Sequence, residues 1–145
     1  RKMGRLADKT ALIAGGAGQV GEGIVREFLR EGATVVVPSR SKDKLALLPQ
    51  SPNLRTIVSD ISSVAGAESV RNRILDEFGR LDCVVASIGS WWQGPGLIDV
   101  PLNDWKQIID DRLTSHFIAA STFLPVLHRA HGASYTMLNG GAAEA

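Results

Sequence analysis

Thr10-Ala-Leu-Ile-Ala-Gly-Gly-Ala-Gly-Gln-Val-Gly-Glu-Gly-Ile24 decides how this chain folds. An apolar run breaks into clustered glycines and then into helical spacing. That order builds a cradle for a diphosphate, with backbone N–H groups at a helix N-terminus and no side chains in the way. Gly16-x-Gly18-x-x-Gly21 fits the dinucleotide fingerprint literally. Any glycine-rich strand-to-helix turn can match that pattern, so the flanks have to decide.

On the N-terminal side, Thr10–Ala14 reads as a first strand. On the other, Val20, Ile24 and Phe28 fall at i, i+4 and i+8, while Glu22, Arg26, Arg30 and Glu31 turn mostly the other way. Gly32 closes this helix. A nearly all-apolar, β-branched second strand follows at residues 33–37, as a sheet covered on both faces requires. Residues 41–48 predict a short helix capped by Ser41 and stopped near Pro49. Leu54–Val58, residues 81–86 and residues 134–138 predict three more strands. Val64–Phe78 and residues 103–127 predict the helices between them. Five strands alternating with four helices imply right-handed β-α-β units on a doubly wound parallel sheet, an α/β domain over residues 1–145. With the strand order 3-2-1-4-5, the glycine turn opens at the switch point between strands one and four, where such sheets bind ligands.

The bulk composition agrees with one soluble domain: 145 residues, 44% hydrophobic, 21% charged. A net charge of +1 provides no field for nucleic acid or an anionic membrane surface. No apolar run approaches the ~20 residues of a membrane span. The lone Cys83 excludes an internal disulfide and reads as an inert buried thiol, consistent with a reducing, cytoplasmic setting.

In this topology the end of the second strand faces the adenosine ribose, where a carboxylate would hold a 2′-hydroxyl and repel a 2′-phosphate. Here the strand ends Val37-Pro38-Ser39-Arg40, with no acid. Ser39 can donate to a phosphate oxygen and Arg40 offers charge and a planar fork, which favours NADP(H) over NAD(H). The plain alternative is a solvated surface arginine. After the third strand, Asp60 can accept from an adenine amino group while Ile61 packs on the ring; Asp60 can equally cap the next helix.

These segments together resemble the short-chain dehydrogenase/reductases over essentially the whole chain. Residues 11–21 are similar to the family's Thr-Gly-x-x-x-Gly-x-Gly loop, Asp60-Ile61 to its adenine contact, and residues 81–89 to its Asn-Asn-Ala-Gly strand. Residues 105–125 resemble its long fourth helix. The resemblance puts the turn at Gly15 and the third glycine at Gly21, so the literal spacing from Gly16 is a coincidence of composition. It implies that Gly15, Ala17, Gly18, Gln19 and Val20 surround the phosphates, and that Ser39 and Arg40 hold the 2′-phosphate. It implies further that Asp60 and Ile61 hold the adenine, and that Ala86, Ser87, Ile88 and Gly89 line the adenosine ribose and the nicotinamide approach. The implied activity is hydride transfer between NADP(H) and a small carbonyl or alcohol substrate. The implied assembly is a homo-oligomer formed through the helix at 103–127.

Several residues depart from the family's pattern. Ala14 stands for Thr, Gln19 for the middle Gly, and Ala86-Ser87 for the Asn pair. Arg112 occupies the position of the Asn that organises a proton-relay water, and Gly140 that of the catalytic Ser. The family's Tyr-x-x-x-Lys is absent: Tyr135 is a strand residue, and no lysine follows Lys106. An unassisted phenol near pKa 10 is a poor base at neutral pH. Two readings compete: the N-terminal portion of a longer reductase, truncated relative to the family's full domain, or a catalytically silent NADP(H)-binding or redox-sensing module. An apolar, unpaired sheet edge after the fifth strand favours the first.

The remaining candidates read as weaker signals. His128 and His131 share i, i+3 spacing without a nearby carboxylate, so no metal site is expected. Asp110 and Asp111, adjacent on a helix, diverge by about 100° and read as a solvated or subunit-facing surface. Trp105 reads as core packing, and one of Trp91 and Trp92 as lining a substrate mouth or subunit contact.

Overall fold

The computed structural model describes residues 4–129 and 132–140; His131 therefore lies outside the described residues. Five parallel strands run β1 (Thr10–Ala14), β2 (Thr34–Ser39), β3 (Leu54–Val58), β4 (Cys83–Ala86) and β5 (Ser134–Met137). Their order in the sheet is β3-β2-β1-β4-β5, as the sequence predicts.

Period-two alternation on the strands divides the core into two layers. Ala11 and Ile13 of β1 join Val35, Val37 and Val85 on one face, beneath Val25 of α1 (Gln19–Arg30) and Leu45 of α2 (Lys42–Ala46). Leu12, Val36 and Val84 point to the other face, beneath Val70 and Ile74 of α3 (Val64–Phe78) and Ala119 and Phe123 of α5 (Ser115–Phe123). The helix ends follow the local chemistry. Ser41 Oγ accepts from Lys44 N at 3.2 Å and Ser63 Oγ from Gly66 N at 3.1 Å. Gly79, at φ 69°, ends α3 in the left-handed conformation that side chains resist.

The N-terminal edge of the sheet carries a buried ionic anchor. The fully buried Asp82 carboxylate accepts from Thr10 N at 2.8 Å and from both Nε and Nη2 of Arg80, at 2.9 and 2.6 Å. Burial pushes this carboxyl up, but the Arg80 guanidinium and the Thr10 N–H outweigh it and hold it below the usual carboxylate range.

The structure revises several expectations. Val20 is 65% exposed, because the buried line of α1 runs one residue further on, through Gly21 and Val25. The long helix is not uniform: α4 (Leu102–Ile109) passes into a π turn at Asp110–Thr114, then α5, then a 3-10 turn at Leu124–Val126. Pro125 sits in that last turn, where it lacks a donor to continue the α ladder. Trp105 is not core, since α4 buries none of its residues and meets chiefly the π turn after it. Cys83 is only partly buried.

Candidate functional site

The C-terminal ends of the strands enclose a cleft of about 810 Å³, within the size range of small-ligand sites. Its floor is the turn after β1. Gly15 has φ 78°, and a Cβ there would stand 1.8 Å from the Ser87 carbonyl oxygen. A Cβ at Gly21 would stand 2.0 Å from the Gly15 oxygen. These two positions therefore admit glycine alone, for a tight turn and for a close helix-to-turn crossing. At Gly18 the nearest atom would be 3.3 Å away, a far looser fit. Gly16 is crowded as well, its added carbon 2.9 Å from Val37 Cγ1 and 3.0 Å from the Ile13 oxygen, so packing restricts positions 15, 16 and 21 alike.

Gly18 begins α1, and no side chain caps the helix. The N–H groups of its first turn are left for solvent or a ligand. Gln19 and Val20 contribute such N–H groups, although their exposed side chains lie outside the cleft lining.

Around this floor the structure gathers most of the residues singled out from sequence. Gly15, Ala17 and Gly18 come from the β1 turn, Ser39 from the end of β2 and Arg40 just after it, and Asp60 and Ile61 from the turn after β3. Ser87, Ile88 and Gly89 follow β4. Ala86 does not reach the cleft; it is fully buried within β4. The charges along the rim are organised. Asp60 accepts from the Ser62 hydroxyl at 2.5 Å and the Ser62 N–H at 3.0 Å. The Ser62 hydroxyl first, then its N–H and the Arg40 charge, hold this carboxyl below its ordinary range despite partial burial. Asp60 also serves the α3 entrance, its carbonyl accepting from Ser63 Oγ at 2.9 Å. The capping reading of Asp60 is corrected: Ser63 caps α3, and the Asp60 carboxylate bonds Ser62 ahead of the helix.

Sequence reasoning missed part of the lining. Lys44 stands in the cleft with Arg40; its signal is a cation four residues after Arg40, in the first turn after the Ser41 cap. Gln107, Asp110, Asp111, Thr114 and Ser115 form the opposite wall. Asp110 and Asp111 thus line the cleft and are not a merely solvated surface, though their carboxylates part, Asp110 Oδ1 accepting from Thr114 Oγ1 at 3.3 Å. Asp111 Oδ2 accepts from Ser90 N at 3.0 Å and Ser90 Oγ at 2.8 Å. Arg112 Nη2 donates to the Ser90 carbonyl.

Other candidates stand apart from the cleft. Gly140 is exposed with open space around its Cα. Tyr135 is a β5 residue packed against the core, its buried hydroxyl unpaired and pushed up by burial. Trp91 is 78% exposed, whereas the Trp92 ring folds over Gly94. No helix among the described residues is long and apolar enough to cross a membrane.

Comparison with known proteins follows the same outline. A family model described as short chain dehydrogenase matches residues 9–136. Cis-1,2-dihydrobenzene-1,2-diol dehydrogenase of Pseudomonas putida is 28% identical over 144 residues, covering 94% of this chain and 52% of that protein. The 3-oxoacyl-acyl-carrier-protein reductase of rhamnolipid biosynthesis from Pseudomonas aeruginosa is 30% identical over 132 residues, covering 88% of this chain and 51% of that protein. Among solved structures, a glucose/ribitol-type dehydrogenase from Brucella melitensis superposes with a TM-score of 0.87 at 26% identity. That match covers 99% of this chain and 61% of the other. The chain spans about half the length of the curated relatives it matches.

Proposed function

Because the chain belongs to the short-chain dehydrogenase family, we propose that its cleft holds NADP(H) and serves hydride transfer with a small carbonyl or alcohol substrate. The observation that carries the proposal is the pairing of two features in one cleft. A glycine floor closed to any side chain at Gly15 and Gly21 meets a β2 end that offers Ser39 and Arg40 but no carboxylate, with Lys44 of α2 beside them.

The residues present fit this nucleotide. Uncapped N–H groups at the start of α1 suit the diphosphate. Arg40 and Lys44 suit a 2′-phosphate, and Asp60 with Ile61 suits the adenine. When bound, the nicotinamide supplies the hydride that passes to or from the substrate carbon. The chain's own part is to bind the adenosine half, orient the other half toward the loop after β4, and keep the 2′-phosphate neutralised. With Arg112 and Gly140 read at the family's Asn and Ser positions, neither is assigned the proton at the substrate oxygen. A reducing cytoplasm suits the single unpaired thiol of Cys83.

Arg40→Ala is expected to weaken NADPH about tenfold, since a hydrogen bond from a charged group is worth roughly 1.5–3 kcal/mol. NADH affinity should stay where it was. Fluorescence titration of both nucleotides checks this, and an unchanged NADPH preference would remove Arg40 from the site.

The same reading extends to assembly. Leu102, Trp105, Leu113 and Phe117 expose 65, 45, 62 and 69% of their surface along the segment from α4 to α5. Such a run of exposed apolar side chains marks an interaction surface, and a second copy of this chain is its proposed occupant. Phe117→Asp should shift sedimentation from an oligomer to the monomer; an unshifted oligomer would put the contact elsewhere.

A further inference from the structure

The loop after β4 is fixed at both ends, and only one end belongs to the glycine floor. At the first end, Ser87 N donates to the Ala14 carbonyl at 2.9 Å, and the Ser87 oxygen sits where a Gly15 side chain would be. At the second, all three polar groups of Ser90 are taken by two adjacent residues of the π turn. Its N–H and hydroxyl donate to Asp111, and its carbonyl accepts from Arg112. Between the ends, Gly89 turns at φ 97°, where a Cβ would lie 3.2 Å from Arg112 Cγ. The Ser90 N–H and hydroxyl, then the Arg112 and Arg40 charges, hold the Asp111 carboxyl below its ordinary range.

We propose that Asp111 and Arg112 are positioning residues: they latch Ser90 and thereby hold the loop 87–90 in place for the nicotinamide half of the dinucleotide. The inference rests on the NADP(H) reading above. Its logic is topological. Ser39 and Arg40 follow β2, on one side of β1, while the loop follows β4, on the other. A dinucleotide whose 2′-phosphate is at β2 must cross the Gly15 turn to reach the latched loop with its other half. The Ser87 end is held by β1 independently of the latch, so the latch acts through the Ser90 end, on the nicotinamide half. Asp111 and Arg112 reach Ser90 from the turn Asp110–Thr114, and π turns of this kind recur at functional sites.

The test compares NADPH with 2′-phospho-ADP-ribose, which lacks the nicotinamide, by titration calorimetry, together with amide hydrogen exchange at Ser90. Asp111→Ala should speed Ser90 exchange and weaken NADPH about tenfold, the size of one charge-assisted hydrogen bond. Affinity for 2′-phospho-ADP-ribose should not move. Asp111→Asn, whose amide oxygen still accepts from Ser90, should recover most of the loss. Arg112→Ala, which leaves the Ser90 N–H paired, should give the same split between ligands at smaller size even if Asp111→Ala folds poorly. Equal weakening of both ligands would mean that the cluster is only structural and would overturn the latch, as would an unchanged NADPH affinity in Asp111→Ala. A wild-type chain that binds neither ligand would instead overturn the nucleotide reading on which the latch rests.

Discussion

Gly15→Val is expected to abolish nucleotide binding and to cost about 3–4 kcal/mol of folding stability. Two effects add. The residue sits at φ 78°, a conformation that side chains adopt only with strain of roughly 1–2 kcal/mol. Its first side-chain carbon would also lie 1.8 Å from the Ser87 carbonyl oxygen, a backbone atom that cannot swing aside. Relief requires β1 and β4 to part where Ala14 pairs with Ala86 and Ser87 N bonds the Ala14 carbonyl. That is the floor of the cleft. Urea denaturation measures the loss, and Gly23→Ala provides the control. Gly23 lies on the exposed side of α1 with nothing within 4 Å of its added carbon. Alanine there should stabilise by about 0.5–1 kcal/mol, through helix propensity alone. If Gly15→Val unfolds no more easily than wild type, the turn is not as tight as described.

Asp82→Ala is the second large effect, expected to destabilise by about 3 kcal/mol. It removes the acceptor of the Thr10 N–H and strands Arg80 at the sheet edge. The pH dependence has a definite sign. The folded-state pKa of Asp82 is depressed, outweighing the opposing effect of burial through Arg80 and Thr10. Its contribution is therefore fully present above the unfolded carboxylate value, about 3.9. It is lost as pH falls through the lower folded value. Stability measured from neutral pH down into acid should thus fall more steeply for wild type than for Asp82→Asn, which has no carboxylate there to protonate. Parallel curves would remove Asp82 from the set of acid-sensitive anchors.

The fold was legible because its signals are local and periodic. β1, β2 and β4 are buried runs, the helices end at Gly32 and Gly79, and Ser41 caps where a short helix begins. The β2 end was legible as well, since Ser39 ends the strand and Arg40 follows it directly. What escaped was whatever depends on a departure from regular helix geometry. Asp110 and Asp111 read as a solvated or subunit-facing surface, whereas they lie at a π turn that meets the loop after β4 through Ser90. No residue in Asp-Asp-Arg-Leu-Thr announces that turn. Trp105 was misread for a related reason: large aromatics are usually buried, but α4 buries none of its residues. Lys44 was missed because it lines the cleft from the helix after β2 and not from the strand end itself.

The central claim is that this cleft takes a dinucleotide carrying a 2′-phosphate, and titrating the wild-type chain with NADPH and with NADH tests it most directly. Saturable binding of both, with NADPH the tighter by about tenfold, is the expected result. Equal affinities, or a preference for NADH, would contradict the assignment of Ser39, Arg40 and Lys44 to the phosphate.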